Sequence, residues 1–151
     1  MSKVIRVGNI PNTHVRDYQR KRLYQAEDSC MFWGDTRVLT YEQTKKLIDR
    51  MSFHTKITPP EIIEDGHKLT YATRDKIYFT YPSLKTLPTI CHEMAHVINY
   101  NSEKPDHHGK HFCGIYLELV KHFISEGSYK DLIKAFKRYK VEYSWFTQID
   151  H

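Results

Sequence analysis

The stretch Thr89-Ile90-Cys91-His92-Glu93-Met94-Ala95-His96-Val97-Ile98 decides how the rest of the chain is read. Pro88 fits the first turn of a helix, with Thr86 or Leu87 near the cap, and the pattern runs to about Asn101. Ile90, Ala95, Val97 and Ile98 are apolar, as a core helix with one polar edge requires. His92 and His96 stand at i and i+4, one turn apart on the same face, so they can offer two imidazoles to one tetrahedral metal ion. Glu93 lies about 100° further round the helix and can reach a water on that ion without being a ligand. Its expected role is general base, accepting the proton of a water whose pKa zinc lowers. Cys91 points elsewhere on the helix and reads as core packing rather than as a nucleophile.

Two histidines do not complete a catalytic zinc site, which takes three protein ligands and keeps one position open. Downstream lies Asp106-His107-His108-Gly109-Lys110-His111-Phe112. A histidine at the start of a following helix can fold back onto the ion, and Gly109 lets the backbone approach closely. His108 is the expected third ligand, with His107 its nearest rival. His111 reads as a residue supporting the site or as a surface one. Glu118 is far enough downstream to serve as a carboxylate ligand. It shares a helix face with His111 and His122, however, and that stripe reads more simply as a solvated edge.

Working outward, residues 1–14 read as an N-terminal arm or short strand. Asp17 can cap a helix to about Ser29. After the Trp33-Gly34-Asp35 turn, Thr40 and Gln43 form a capping-box pattern opening a helix to about Met51, striped by Leu47, Ile48 and Met51. Pro59-Pro60 stops helical structure. Ile62-Ile63, Leu69-Tyr71 and Ile77-Thr80, separated by turn signals at Asp65-Gly66 and Arg74-Asp75, predict two or three antiparallel strands. Beyond the histidine helix, Gly109 to Ile124 predicts a helix with Phe112, Ile115, Tyr116, Leu119, Val120 and Phe123 at helical spacing. Gly127 ends it, Ser128 with Asp131 caps a last helix through about Tyr139, and Val141 to Phe146 reads as a final strand.

The 151 residues suit a single domain, 1–151, able to bury a real core. Three scattered cysteines, Cys30, Cys91 and Cys113, include no CxxC pair, so neither a zinc ribbon nor a thioredoxin-like motif is present. They read as reduced thiols of a cytoplasmic protein. The opening residues lack a signal-peptide apolar stretch, and no run of about 18 apolar residues predicts a membrane span. A net charge of +5 permits contact with nucleic acid without demanding it. Arg16, Arg20, Lys21 and Arg22 form one basic cluster. Lys134, Lys137, Arg138 and Lys140 form another beside Tyr139, Tyr143 and Trp145, a mixture that suits single-stranded nucleic acid but reads first as solvated helix faces.

The HExxH helix followed by His108-Gly109-Lys110-His111-Phe112 resembles the SprT-like zinc peptidases, whose pattern is HExxH, a loop of about a dozen residues, then H-G-x-x-F or H-G-x-x-W. Here the intervening Val97 to His107 is eleven residues. The resemblance implies a zincin-like α+β fold, Zn2+ held by His92, His96 and His108, and proteolysis of a protein or peptide substrate. Some members of that family act on proteins bound to DNA. The cysteine-rich ribbon that often follows in the family is missing, and His111 stands where many relatives carry an acidic residue. A second likeness is to short metallohydrolase-like proteins of actinobacteria and their phages. It rests on Arg16-Asp17-Tyr18-Gln19-Arg20, Leu23-Tyr24-Gln25-Ala26-Glu27, the Leu39 to Met51 helix and Ile115 to Val120. A phage-borne chain would work in the host cytoplasm.

The expectation is therefore an α+β, zincin-like minimal metallopeptidase domain with a small antiparallel sheet and several packed helices. The alternative is a zinc-containing protein- or nucleic-acid-binding protein of the same fold that does not cleave. Hydrolysis of a non-peptide bond would use the same metal and base. Tyr100 and Tyr116 are candidate donors to a transition-state oxyanion.

Overall fold

Leu87–Tyr100 forms a helix in which every residue from Pro88 to Asn99 is buried. Such a helix needs partners on all sides. The computed structural model describes residues 17–64, 69–80 and 85–146, and the partners lie among them. In chain order the elements are α1 (Arg20–Ser29), a 3-10 turn (Met31–Gly34), α2 (Tyr41–Thr55), β1 (Glu61–Ile63), β2 (Tyr71–Ala72), β3 (Lys76–Tyr78), α3 (Leu87–Tyr100), α4 (Lys110–Phe123) and α5 (Glu126–Arg138). The chain is α+β. The 1–14 arm and the Asp65-Gly66 turn signal fall outside the described residues, as does Arg16.

Helix α3 packs on α4, α4 on α5 and α5 on α1, while α2 and the sheet cover other sides of α3. The core between them holds Leu23, Met51, Ile77, Phe79, Ile90, Met94, Phe112, Ile115, Tyr116, Leu119, Leu132 and Phe136. Each such side chain, fully buried, contributes about 1.5–3 kcal/mol relative to exposure. Among the described residues no helix is long and apolar enough to cross a membrane.

The sheet corrects one expectation. It is mixed rather than antiparallel, with order β1-β3-β2. β3 pairs antiparallel with β2, Ala72 opposite Ile77, but parallel with β1, Ile62 opposite Ile77. Ile77 is fully buried, so β3 takes the centre and is paired on both edges. β1 therefore meets β3 directly instead of forming a hairpin with β2.

Several boundaries move for local reasons. The Thr40–Gln43 capping box forms as read, but α2 continues one turn beyond Met51 and stops at Lys56, whose φ of 60° is left-handed. Helix α5 starts earlier than expected, because Ser125 rather than Ser128 is the cap, its hydroxyl accepting from the Ser128 N–H. Gly127 consequently sits inside the first turn of α5. Residues 141–146 form no strand. They lie against α4 and the start of α1, with the Ser144 N–H donating to the Lys110 carbonyl and the Glu142 N–H to Gln19 Oε1. Asp17 does not cap α1, where Gln19 holds the cap position.

Candidate metal centre

The i and i+4 spacing does on α3 what the helix requires: His92 and His96 project together, and the loop after Tyr100 returns His108 to meet them. One ring nitrogen from each of the three lies within 4.8 Å of the others. His96 Nε2 and His108 Nε2 are 3.1 Å apart. Two ligands of a tetrahedral zinc with nitrogen bonds near 2.0–2.1 Å stand roughly 3.3 Å apart, so the pair has almost the spacing such an ion needs.

Two of the imidazoles are oriented from behind by carboxylates. His92 Nδ1 is 2.7 Å from Glu27 Oε2, and His108 Nδ1 is 2.8 Å from Asp17 Oδ2. Glu27 is fully buried, and the Asp17 side chain is 4% exposed. An Nδ1–H donated to a carboxylate leaves the Nε2 lone pair facing the cluster, the tautomer a metal needs. The same Glu27 oxygen accepts a 2.7 Å hydrogen bond from the Tyr116 hydroxyl. Tyr116 is thus engaged in holding Glu27. Tyr100 instead stacks on His96, ring centroids 5.6 Å apart.

Burial sets the charge state. Desolvation lowers the His96 pKa well below its ordinary value, helped by neighbouring His108 and His92. Desolvation also lowers that of His108, although the hydrogen bond to Asp17 opposes it. Neutral imidazoles are the form in which histidine binds a metal. His96 Nδ1 is buried with no hydrogen-bond partner, and the polar contact of that ring is made by Nε2 with His108. Glu93, 8% exposed, is pushed up to about 7, mainly by burial and further by Glu27, while His92 pulls it down. A cation held by the three histidines would favour its carboxylate form.

The loop that delivers His108 is fixed at both ends. Asp106 Oδ2 accepts from the His111 N–H at 3.0 Å and Oδ1 from the Phe112 N–H at 3.1 Å, satisfying the exposed donors at the start of α4. Asn99, at the end of α3, donates its amide to Asp106 Oδ1 and to the Asp106 carbonyl, and its own oxygen meets His111 Nδ1 at 2.6 Å. Gly109 does allow a close approach, but to the Asp106 carboxylate, which a Cβ there would strike. Gln19, from the start of α1, donates to the His108 carbonyl at 2.8 Å. Phe112 is fully buried against all three imidazoles, with centroids 5.2, 4.4 and 5.0 Å from His92, His96 and His108. The phenylalanine of the H-G-x-x-F pattern therefore packs the three imidazole rings in place.

The arrangement brings His92, His96 and His108 together, with Glu93 adjacent to His92 on the same helix. It leaves His107 and His111 out of the three-nitrogen group, and Glu118 lies elsewhere, beside His54 and His122. Cys91 is fully buried in the core. Tyr24 and Trp33 line the group, Trp33 at 5.9 Å from His92 and Tyr24 at 5.4 Å from His108. Sequence reasoning missed Asp17, Glu27, Asn99, Asp106, Tyr24 and Trp33 as site residues. Comparison with protein-family models, with curated proteins and with solved structures finds no match.

Proposed function

We propose that this chain is a zinc-dependent hydrolase of the minimal zincin type, most directly a metalloendopeptidase. The observation that carries the reading is the convergence of three buried imidazoles, two of them backed by buried carboxylates, next to Glu93. Three nitrogen donors with a carboxylate held outside the set match the donor chemistry of a catalytic rather than a structural zinc site. His92, His96 and His108 would hold the ion, which supplies Lewis acidity and lowers the pKa of a coordinated water. Glu93 accepts the proton of the attacking water and returns it to the leaving group, the task suited to a carboxyl whose burial raises its affinity for protons. Glu27 and Asp17 orient the ligand rings. The peptide bond as target comes from the SprT-like pattern, and three buried free thiols accord with a cytoplasmic setting.

The test is Glu93→Gln. The variant keeps its zinc and its fold and loses cleavage of an unfolded protein substrate by about 100-fold or more. Equal cleavage by both proteins removes Glu93 from the mechanism. A zinc-loaded wild type that cleaves nothing, yet binds DNA in a salt-sensitive manner unaffected by Glu93→Gln, assigns the chain to binding instead.

A further inference from the structure

A second group of metal-ligating side chains lies outside the three-histidine site. His54 stands in the last turn of α2, and Glu118 and His122 stand one turn apart on α4. Their ligand atoms all fall within 4.8 Å of one another. Glu118 Oε1 is 3.2 Å from His54 Nε2 and 2.9 Å from His122 Nε2. The His54 and His122 rings lie against each other at a centroid distance of 4.4 Å, tilted by 45°. An i, i+4 pair on one helix with a histidine from another segment repeats the plan of the first site, here with donors N, N and O.

We infer that His54, Glu118 and His122 form a second site for a zinc-like divalent ion, which clamps the end of α2 onto α4. Three features favour a cation there. Of the separations to Glu118, the 3.2 Å one nearly matches the roughly 3.3 Å edge of a tetrahedral zinc site and the 2.9 Å one is a few tenths of an ångström short, so small side-chain shifts admit the ion. His54 and His122 sit in the last turns of their helices, where the backbone carries partial negative charge. The three side chains are about a quarter to two-fifths exposed, at 29%, 27% and 43%, so a fourth position is open to water. Arg50 and Lys56 line the adjoining cleft with Asp49, Phe53 and Phe123, and Arg50 lies over the Phe123 ring. Their positive charge opposes the ion and makes this the weaker of the two sites. Two imidazoles and one carboxylate select zinc, cobalt or nickel over calcium or magnesium, which require oxygen donors.

The experiment is equilibrium dialysis of the full chain against increasing zinc alone, with wild type, His122→Ala, His54→Ala and His96→Ala compared. Wild type should take up an additional equivalent at micromolar free zinc, and that equivalent should also raise its melting temperature. His122→Ala and His54→Ala should each lose the additional equivalent and the thermal shift, while His96→Ala keeps both. His122 is the most exposed of the three, so its removal leaves the core intact. Uptake by His122→Ala and His54→Ala equal to that of wild type overturns the site, as does a wild type that binds no zinc beyond what His96→Ala removes. Loss confined to His122→Ala and His54→Ala, with none in His96→Ala, upholds this site and instead defeats the three-histidine reading.

Discussion

Glu27 should matter to metal affinity although it lies outside the three-nitrogen group and acts through His92. Its Oε2 accepts from both His92 Nδ1 and the Tyr116 hydroxyl at 2.7 Å, and the side chain is fully buried. Glu27→Gln keeps an oxygen able to receive both bonds, so the ring stays in place, but it removes the negative charge that makes His92 a stronger donor. Loss of such a partner weakens metal binding by about 10- to 100-fold, or roughly 1.4–2.7 kcal/mol. Glu27→Ala adds a second cost, since it takes a buried charged acceptor from both the His92 ring and the Tyr116 hydroxyl, each such hydrogen bond being worth about 1.5–3 kcal/mol. The assay is zinc competition against a chromogenic chelator, with circular dichroism and a melting curve as controls for folding. An affinity for Glu27→Gln within twofold of wild type, in a normally folded protein, would refute the idea that this carboxylate tunes His92.

Two predictions concern the scaffold. A Cβ at position 114 would run into the Ser144 carbonyl, so Gly114→Ala must push 141–146 off α4; the expected loss is about 1–3 kcal/mol, a fall in Tm of roughly 3–10 °C, and an unchanged melting curve would show that the segment does not pack there. Burial pushes the Cys30 thiol up to about 11, only partly offset by its hydrogen bond with Ser29. Its folded value thus lies above the unfolded one, so its contribution to stability is intact below about pH 8.5–9 and is lost as pH climbs towards 11. Alkylation of Cys30 at pH 8 should be about 100-fold slower in the native protein than in the denatured chain, read by peptide mass spectrometry; equal rates would contradict the burial argument.

The parts of the site legible in the sequence are those set by local geometry. His92, Glu93 and His96 share a helix whose period fixes their relation, and His108-Gly109 stands at a helix start whatever the rest of the fold does. Asp17 and Glu27 were out of reach because they meet His108 and His92 across 91 and 65 residues of chain. Asp17 looked like a helix cap, the usual work of an aspartate before a helix, yet tertiary contact with His108 takes its carboxylate. Asp106 caps α4 from five and six residues away, outside the usual capping offset, so its role left no local pattern. The strand signals were sound for β1 to β3, but pairing depends on which strand is buried on both edges, and Ile77 decides that only in the folded chain. Ser125 and Ser128 carry the same hydroxyl. The Ser128-x-x-Asp131 pattern pointed to one, while the backbone turn selects the other.

Zinc content after exhaustive dialysis tests the central proposal most directly, because an ion held weakly at the proposed His54 cluster would be removed under those conditions. Wild type and Glu93→Gln should each retain about one zinc per chain, and His108→Ala should lose most of it while keeping its helical circular dichroism. A folded wild type free of zinc, or a His108→Ala protein that retains as much as wild type, would contradict the three-histidine centre.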